Sequence, residues 1–271
     1  MEHIPIPGGG SLDAWFDGGG EPVLFIHGSL IAGTFECLRG EPVLADSFEL
    51  ITYSRRGYAG SARYGAGVTV EAQVRDAIAV LDYFGVRRAH VVGHSSGGML
   101  ALHLHRLAPK RVHTLALLEP PLFDVPAGSA EAAYREGDHA RAAAIFLDLV
   151  FGDGPWRGRV DRNLPVGWLA QTVADLPGLF EVELHAPAAP YGAVEASNVT
   201  APVLSVLGAE SPAPFGEGQA LMRGWWPGLE TALIPGVSHD LHFGNPHAVA
   251  EALAAFFRKH PFRPGRPVGR S

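Results

Sequence analysis

Residues 89–102 read AHVVGHSSGGMLAL, an apolar run that stops at a serine flanked by glycines and then restarts. Residues 90–94 have the character of a short buried strand, and residues 99–107 repeat apolar side chains at helical spacing. Between them, Gly93, Ser95 and Gly97 form the pattern of a sharp strand-to-helix turn, where the backbone leaves no room for flanking side chains. The pattern predicts that Ser95 projects above the edge of a sheet as a nucleophile.

The composition narrows the class of protein. The chain has 271 residues, of which 47% are hydrophobic, enough to form a large core. A formal net charge of −7 gives no basic surface for nucleic acid. Cys37 is the single cysteine, so no intrachain disulfide can form. Because neither a signal peptide nor a membrane-spanning apolar run is present, we expect a cytoplasmic protein with no membrane association.

Apolar strands alternate with amphipathic helices over most of the chain. The predicted strands are residues 22–26, 48–53, 90–94, 112–119, 202–208 and 230–234, and the predicted helices are residues 70–84, 99–107, 215–226 and 246–260. Residues 3–6 and 12–16 predict an N-terminal hairpin at a sheet edge. This alternation indicates an α/β fold in which helices cover both faces of a mostly parallel sheet.

Residues 120–200, called the insertion below, interrupt this alternation. They contain several prolines and two short helical patches, at residues 129–133 and 140–150. We interpret the insertion as a helical cap over the catalytic edge of a core formed by residues 1–119 and 201–260. The remaining residues, 261–271, contain three prolines and three arginines and predict a disordered tail.

A serine nucleophile requires a base, and the base requires a carboxylate that holds its tautomer and stabilises the imidazolium. Among 13 histidines, His239 stands out because it follows a predicted strand by a short loop and precedes the last helix. His242 and His94 are the alternatives, although His94 adjoins Ser95 on the turn. We therefore predict that His239 is the base.

The order of these features resembles the α/β-hydrolase superfamily over nearly the whole chain. The matching features are the Gly93 to Gly97 pattern, His27-Gly28, Arg56-Gly57, the insertion and the late His239. The resemblance implies an α/β-hydrolase fold, with a mostly parallel eight-stranded sheet, helices on both faces and an inserted helical cap.

The chain departs from the family at the catalytic acid. The family's usual aspartate, in a Gly-x-x-Asp pattern after the seventh strand, is replaced here by Ser211, three residues after Gly208. Glu119, Glu210 and Asp240 are the carboxylates that could serve instead. We favour Glu119, because it ends an apolar strand at the edge where the nucleophile emerges, and some lactonases and haloalkane dehalogenases of this family place the acid there.

The same turns supply donors for an oxyanion. Ser96 follows the nucleophile, so its N–H is the first predicted donor, and the N–H of Ser29 or Gly28 is the second. His27 itself is interpreted as structural.

The substrate contacts are less defined by the sequence. The residues that could line an apolar pocket are His94, Trp156, Trp168, Phe180 and Tyr191. For the four aromatic residues, packing within the insertion's own core is an equally good interpretation. We predict neither a metal nor a cofactor, because no metal-ligand spacing, phosphate-binding glycine loop or dinucleotide fingerprint occurs.

Together these features predict a serine hydrolase that cleaves a small apolar carboxylic ester or lactone through an acyl-enzyme. Carbon–carbon bond hydrolysis and perhydrolase activity remain open on the same triad, as does a non-catalytic ligand receptor on this fold. Epoxide and haloalkane chemistry is disfavoured, because family members that perform it use an aspartate nucleophile. Assembly into a homo-oligomer is left open.

Overall fold

The computed structural model describes residues 1–64, 68–152, 156–186 and 191–262. Within these ranges one eight-stranded sheet has the order β1-β2-β4-β3-β5-β6-β7-β8. The strands are β1 Glu2–Pro5, β2 Ser11–Gly18, β3 Glu21–Ile26, β4 Phe48–Tyr53, β5 Ala89–His94, β6 Val112–Leu118, β7 Val203–Gly208 and β8 Glu230–Ile234. β1 and β2 form the predicted antiparallel hairpin at one edge, and every pair from β4 to β8 is parallel. The predicted fold class is confirmed.

Helices flank the sheet and fill the connections between its strands. The α-helices are α1 Glu36–Arg39, α2 Pro42–Ala45, α3 Val70–Tyr83, α4 Ser96–Leu107, α5 Gly128–Arg135, α6 His139–Phe151, α7 Trp156–Asn163, α8 Trp168–Pro177, α9 Ala193–Ala196, α10 Ala213–Trp225, α11 Leu241–Gly244 and α12 Pro246–Lys259. The main helices of the core begin and end within a few residues of their predicted limits, whereas α1, α2, α7, α8, α9 and α11 were not predicted. No helix in the described ranges has the length and hydropathy needed to cross a bilayer.

The central strands are buried on both faces. Along β3, Leu24 and Ile26 belong to one apolar cluster, and Val23 and Phe25 belong to the other. Because side chains alternate along a strand, these two sets point to opposite faces of the sheet. A continuous apolar run is therefore the correct signature of this strand.

The insertion has a hydrophobic cluster of its own. Its helices α5 to α9 lie between β6 and β7, inside the predicted limits. The cluster includes Phe146 and Leu176 from the insertion, together with Leu30, Ile31 and Phe243 from the core. The insertion therefore packs against loops at the edge formed by the carboxyl ends of the parallel strands, called the carboxyl edge below.

The predicted disordered tail starts too early. Phe262 donates its N–H to Glu21 Oε1 at 2.8 Å, and its ring stacks on His113 with centroids 4.1 Å apart. The Phe262 ring packs on His113 of the core. The composition of the tail does not indicate this contact. Residues 263–271 lie outside the described residues.

Candidate active site

Ser95 lies on a strained turn between β5 and α4. Its φ of 52° and ψ of −127° are unusual for a residue with a side chain. A Cβ built on Gly93 would lie 2.4 Å from Gly97 O, and one built on Gly97 would lie 2.1 Å from Ile26 O. Both glycines are therefore required by close backbone approach, as the sequence pattern predicts. The Ser95 N–H donates to Leu118 O at 2.9 Å, which ties the turn to the end of β6.

The three residues predicted to supply oxyanion donors surround this turn. A Cβ on Gly28 would lie 3.0 Å from Ser95 Cβ, so the backbone after β3 passes directly beside the nucleophile. Ser96 opens α4, where the first N–H groups have no intrahelical partner. The Ser29 and Ser96 hydroxyl oxygens are 2.9 Å apart. Parallel pairing of β3 with β5 brings these turns together, because Ile26 is opposite Gly93.

His239 and Glu119 form a buried pair at the same edge. Glu119 Oε2 is 2.6 Å from His239 Nδ1, and each residue is 2% exposed. Glu119 Oε1 accepts the Gly208 N–H at 2.7 Å and the Ser211 hydroxyl at 2.5 Å. Because an ionised carboxylate can only accept, His239 carries its proton on Nδ1 and leaves the Nε2 lone pair free to take another.

The surroundings of this pair act on both pKa values. Burial raises the pKa of Glu119, and the hydrogen bonds from Ser211 and Gly208 oppose that rise. Burial lowers the pKa of His239, whose ring stacks on Phe215 at 4.1 Å, and the nearby Asp240 carboxylate opposes the drop. At 2.6 Å the two groups titrate as one coupled pair. An uncharged imidazole beside a hydrogen-bonded carboxylate is the state that can accept a proton.

The other two candidate carboxylates have different surroundings. Asp240 is fully buried and accepts from Arg159 Nε at 2.8 Å, Arg159 Nη2 at 3.1 Å and the Ser238 N–H at 2.9 Å. The Glu210 side chain is 52% exposed and lies 3.8 Å from Arg159 Nη1. Of the three carboxylates, all within the described ranges, Glu119 is the one that contacts His239.

Backbone groups hold two of the neighbouring histidines, His27 and His94. His94 Nε2 donates to His239 O at 3.0 Å. His27 Nδ1 donates to Gly28 O at 2.6 Å, and its Nε2 accepts the Arg55 N–H at 2.8 Å. Burial lowers the pKa of both His27 and His94 well below the usual value, so both rings stay neutral. His242 is buried beside His94, with ring centroids 4.4 Å apart.

Ser95 and His239 line one cavity of about 30 Å³. The other residues on its wall are Gly28, Ser29, Ile31, Thr34, His94, Phe146, Leu147, Val150, Phe151 and Phe243. Within the described residues, the His239 side chain bonds Glu119, and no hydrogen bond joins it to Ser95. The wall is mostly apolar, and helix α6 of the insertion supplies much of it.

The structure brings His94 to this wall but not the four predicted aromatic residues. Those residues, all within the described ranges, are Trp156, Trp168, Phe180 and Tyr191. Trp156 and Phe180 are buried in the insertion's own cluster, and Tyr191 packs edge-on against His103. Trp168 borders a separate cavity of about 240 Å³. Packing within the insertion, the alternative interpretation, therefore holds for Trp156 and Phe180, whereas Tyr191 packs against the core.

Sequence reasoning missed the side chains that α6 directs at the cavity. Phe146 and Val150 are four residues apart in α6, as are Leu147 and Phe151. Such pairs share one helix face, so the apolar periodicity of residues 140–150 contained the signal. It could not show that this face meets Ser95.

Among the described residues, no group of three or more His, Cys, Asp or Glu side chains could hold a metal ion.

The class of protein follows from a match to a known family. The family model described as "Alpha/beta hydrolase family" matches residues 23–252. The chain therefore belongs to the α/β-hydrolase family.

The proteins similar to this chain are named for several different activities. The chain is 34% identical over 152 residues to the dihydrolipoyllysine-residue acetyltransferase component of the acetoin cleaving system of Cupriavidus necator; the match covers 54% of this chain and 38% of that protein. An esterase structure from Thermogutta terrifontis has a TM-score of 0.80 at 23% identity, covering 96% of this chain and 99% of that one. Est816, described as an N-acyl homoserine lactone degrading enzyme, has a TM-score of 0.68 at 24% identity, covering 94% and 100%. At these identities the structures show the fold alone.

Proposed function

We propose that this protein is a serine hydrolase that cleaves a carboxylic ester or lactone with Ser95, His239 and Glu119. One observation carries the proposal: the buried 2.6 Å contact between Glu119 and His239, on a cavity whose wall His239 shares with Ser95. A nucleophile, a base and an acid that orients the base are the groups that acyl transfer requires.

In the first step, Ser95 Oγ attacks the carbonyl carbon while His239 Nε2 takes the hydroxyl proton. The carbonyl oxygen gains the negative charge of the tetrahedral intermediate. His239 then returns the proton to the leaving alcohol oxygen as the C–O bond breaks, which leaves an acyl group on Ser95. His239 then deprotonates a water that attacks the acyl carbon. The C–O bond to Ser95 breaks, the carboxylic acid leaves, and His239 returns the proton to Ser95 Oγ.

The charge on the carbonyl oxygen requires fixed donors. We assign the N–H of Ser96 and the N–H of Ser29 or Gly28 to this role, since both turns border Ser95. Fixed donors of this kind lower the barrier because they need no reorganisation as charge develops.

The cavity favours a small apolar acyl group. A volume of about 30 Å³ holds only a few water-sized groups, and phenylalanine and aliphatic side chains form most of its wall. The insertion, which provides α6, acts as the cap in this proposal. The two similar structures are named as an esterase and as an N-acyl homoserine lactone degrading enzyme.

The test is hydrolysis of p-nitrophenyl acetate and of a panel of lactones by the full chain and by Ser95→Ala. We expect turnover by the wild type and a loss of about 10³-fold or more in kcat for Ser95→Ala. A fluorophosphonate probe should phosphonylate Ser95 with loss of fluoride and leave Ser95→Ala unlabelled.

Two results would count against the proposal. Turnover that survives Ser95→Ala would remove the nucleophile. Labelling of Ser95 without turnover of any ester or lactone would retain the nucleophile and contradict the substrate class.

A further inference from the structure

Four side chains beside the proposed oxyanion site form a closed hydrogen-bond cycle, made of Arg55, Ser96, Ser29 and Glu183. Arg55 Nη1 lies 3.0 Å from Ser96 Oγ, which is 2.9 Å from Ser29 Oγ. Ser29 Oγ lies 2.6 Å from Glu183 Oε2, and Arg55 Nη2 donates to Glu183 Oε1. Each member therefore contacts the next, and the last returns to the first.

The two hydroxyl protons in this cycle can take only one arrangement. A guanidinium only donates and an ionised carboxylate only accepts. Ser29 must therefore donate its hydroxyl proton to Glu183, and Ser29 Oγ then accepts from the Ser96 hydroxyl. Ser96 Oγ in turn accepts from Arg55. Hydrogen bonds aligned in one direction strengthen one another, so the cycle holds its hydroxyls rigidly.

The cycle is buried and its charges are satisfied. The Arg55 side chain is 2% exposed and that of Glu183 is 10% exposed. Arg55 also donates to Gln73 Oε1 and to His27 O, and the Tyr64 hydroxyl donates to Glu183 Oε1 at 2.9 Å. A buried ion pair adds little to stability compared with apolar side chains of similar volume. The role of the Arg55–Glu183 ion pair is therefore to fix the positions of the side chains it contacts.

The members of the cycle come from separate elements. Ser29 follows β3, Arg55 follows β4, and Ser96 opens α4, whereas Glu183 lies in the insertion. The backbone N–H of Ser96, and that of Ser29 or the adjoining Gly28, are also the groups assigned to the oxyanion. A carboxylate from the insertion thus completes the link between the two turns that carry the donors.

We propose that Glu183 is a positioning residue that closes this cycle and fixes the spacing of the two oxyanion donors. The inference rests on the proposed function of Ser95 and the oxyanion donors. It makes the packing of the insertion part of the catalytic geometry as well as a cover for the site.

The experiment compares Glu183→Gln with the wild type on p-nitrophenyl acetate and measures the affinity for butylboronic acid, which forms a tetrahedral adduct on the serine. The glutamine keeps the shape but places an N–H₂ group where an acceptor is needed. We expect kcat to fall by about 10- to 100-fold while KM stays within about twofold. The Kd for the boronic acid should weaken by a similar factor, because the adduct needs the oxyanion donors.

Two variants separate positioning from anchoring. Glu181→Gln is the matched control, because Glu181 is an exposed carboxylate two residues before Glu183 and accepts from the Tyr134 hydroxyl. This variant should leave kcat unchanged. Asp175→Asn weakens another contact between the insertion and the core, in which Asp175 accepts from the Ala59 N–H and from Arg63. It should lower the unfolding temperature without a matching loss of boronic acid affinity.

Ser29→Ala provides a second way to break the cycle if Glu183→Gln fails to fold, since it keeps the ion pair. It should also lower kcat with KM unchanged, and the double variant should lose no more than the worse single variant, since one cycle is broken in each case.

Unchanged kcat in a folded Glu183→Gln or Ser29→Ala protein, or losses that multiply in the double variant, would overturn the positioning role. A wild type without turnover would instead overturn the proposed function.

Discussion

Glu119 and Asp240 are two buried carboxylates near one histidine, and they have different partners. Asp240 is next to His239 in sequence but bonds Arg159 of the insertion. Glu119 is 120 positions away in sequence and contacts His239 Nδ1. Contact at the carboxyl edge therefore follows the order of the strands in the sheet, not distance along the chain. In the proposed mechanism Glu119 orients the base, whereas Asp240 joins the histidine loop to the insertion.

The largest expected effect comes from neutralising Glu119, the carboxylate that contacts His239. Glu119→Gln should lower kcat by about 10³-fold or more, because an amide cannot stabilise the imidazolium and can select the wrong histidine tautomer. The measurement is hydrolysis of p-nitrophenyl acetate at saturating substrate.

Glu210→Gln is the matched control. Its carboxylate is half exposed and does not contact His239, so kcat should stay within about twofold. A large loss in Glu210→Gln with little loss in Glu119→Gln would show that the carboxylate has been wrongly assigned.

The contact between Asp240 and Arg159 predicts a change in stability when it is removed. Arg159→Met leaves Asp240 buried without its cation, which should lower the free energy of unfolding by about 3–5 kcal/mol. Equilibrium urea denaturation measures the change. Arg157→Met, on the same helix, removes an exposed partner of Asp148 and should change the free energy by only about 0.5 kcal/mol. Equal effects in the two variants would contradict an anchoring role for Arg159.

The smallest expected effect concerns Ser211, which donates to Glu119. That bond favours the ionised carboxylate, so Ser211→Ala should raise the pKa of the coupled pair. The active state, with Glu119 ionised and His239 neutral, would then form at higher pH, and the acid limb of kcat/KM should move up by about one pH unit.

The profile is measured against Ser197→Ala, which removes an exposed hydroxyl that bonds Val194 O. A limb that moves down, or moves equally in both variants, would contradict the proposed role of the Ser211 bond.

Ser211 also explains why the family pattern fails after β7. It occupies the position where the family places its aspartate, and it donates to the carboxylate that comes from β6 instead. The sequence showed that a charge was missing there. It could not show that the hydroxyl serves the neighbouring strand's acid, because that depends on the packing of β6 beside β7.

For the pocket, the residues predicted from the sequence differ from those that line the cavity in the structure. The size and position of Trp156 and Phe180 in the insertion predict pocket residues, yet both are buried in the insertion's own cluster. Phe146 and Phe151 reach the cavity because of how α6 is rotated against the core. Helix rotation is set by packing on both sides of the helix, and one-dimensional periodicity does not report which side meets the site.

The sequence by itself determined the features that depend on local sterics and on the spacing of apolar residues. These are the glycine-flanked turn at Ser95, the alternation of strands and helices, and the parallel sheet that this alternation requires. Only the tertiary structure decided which carboxylate meets His239, which side chains line the cavity and how Glu183 closes the cycle with Ser29. Those contacts join residues far apart in the chain, and their geometry depends on strand order, strand register and the docking of the insertion.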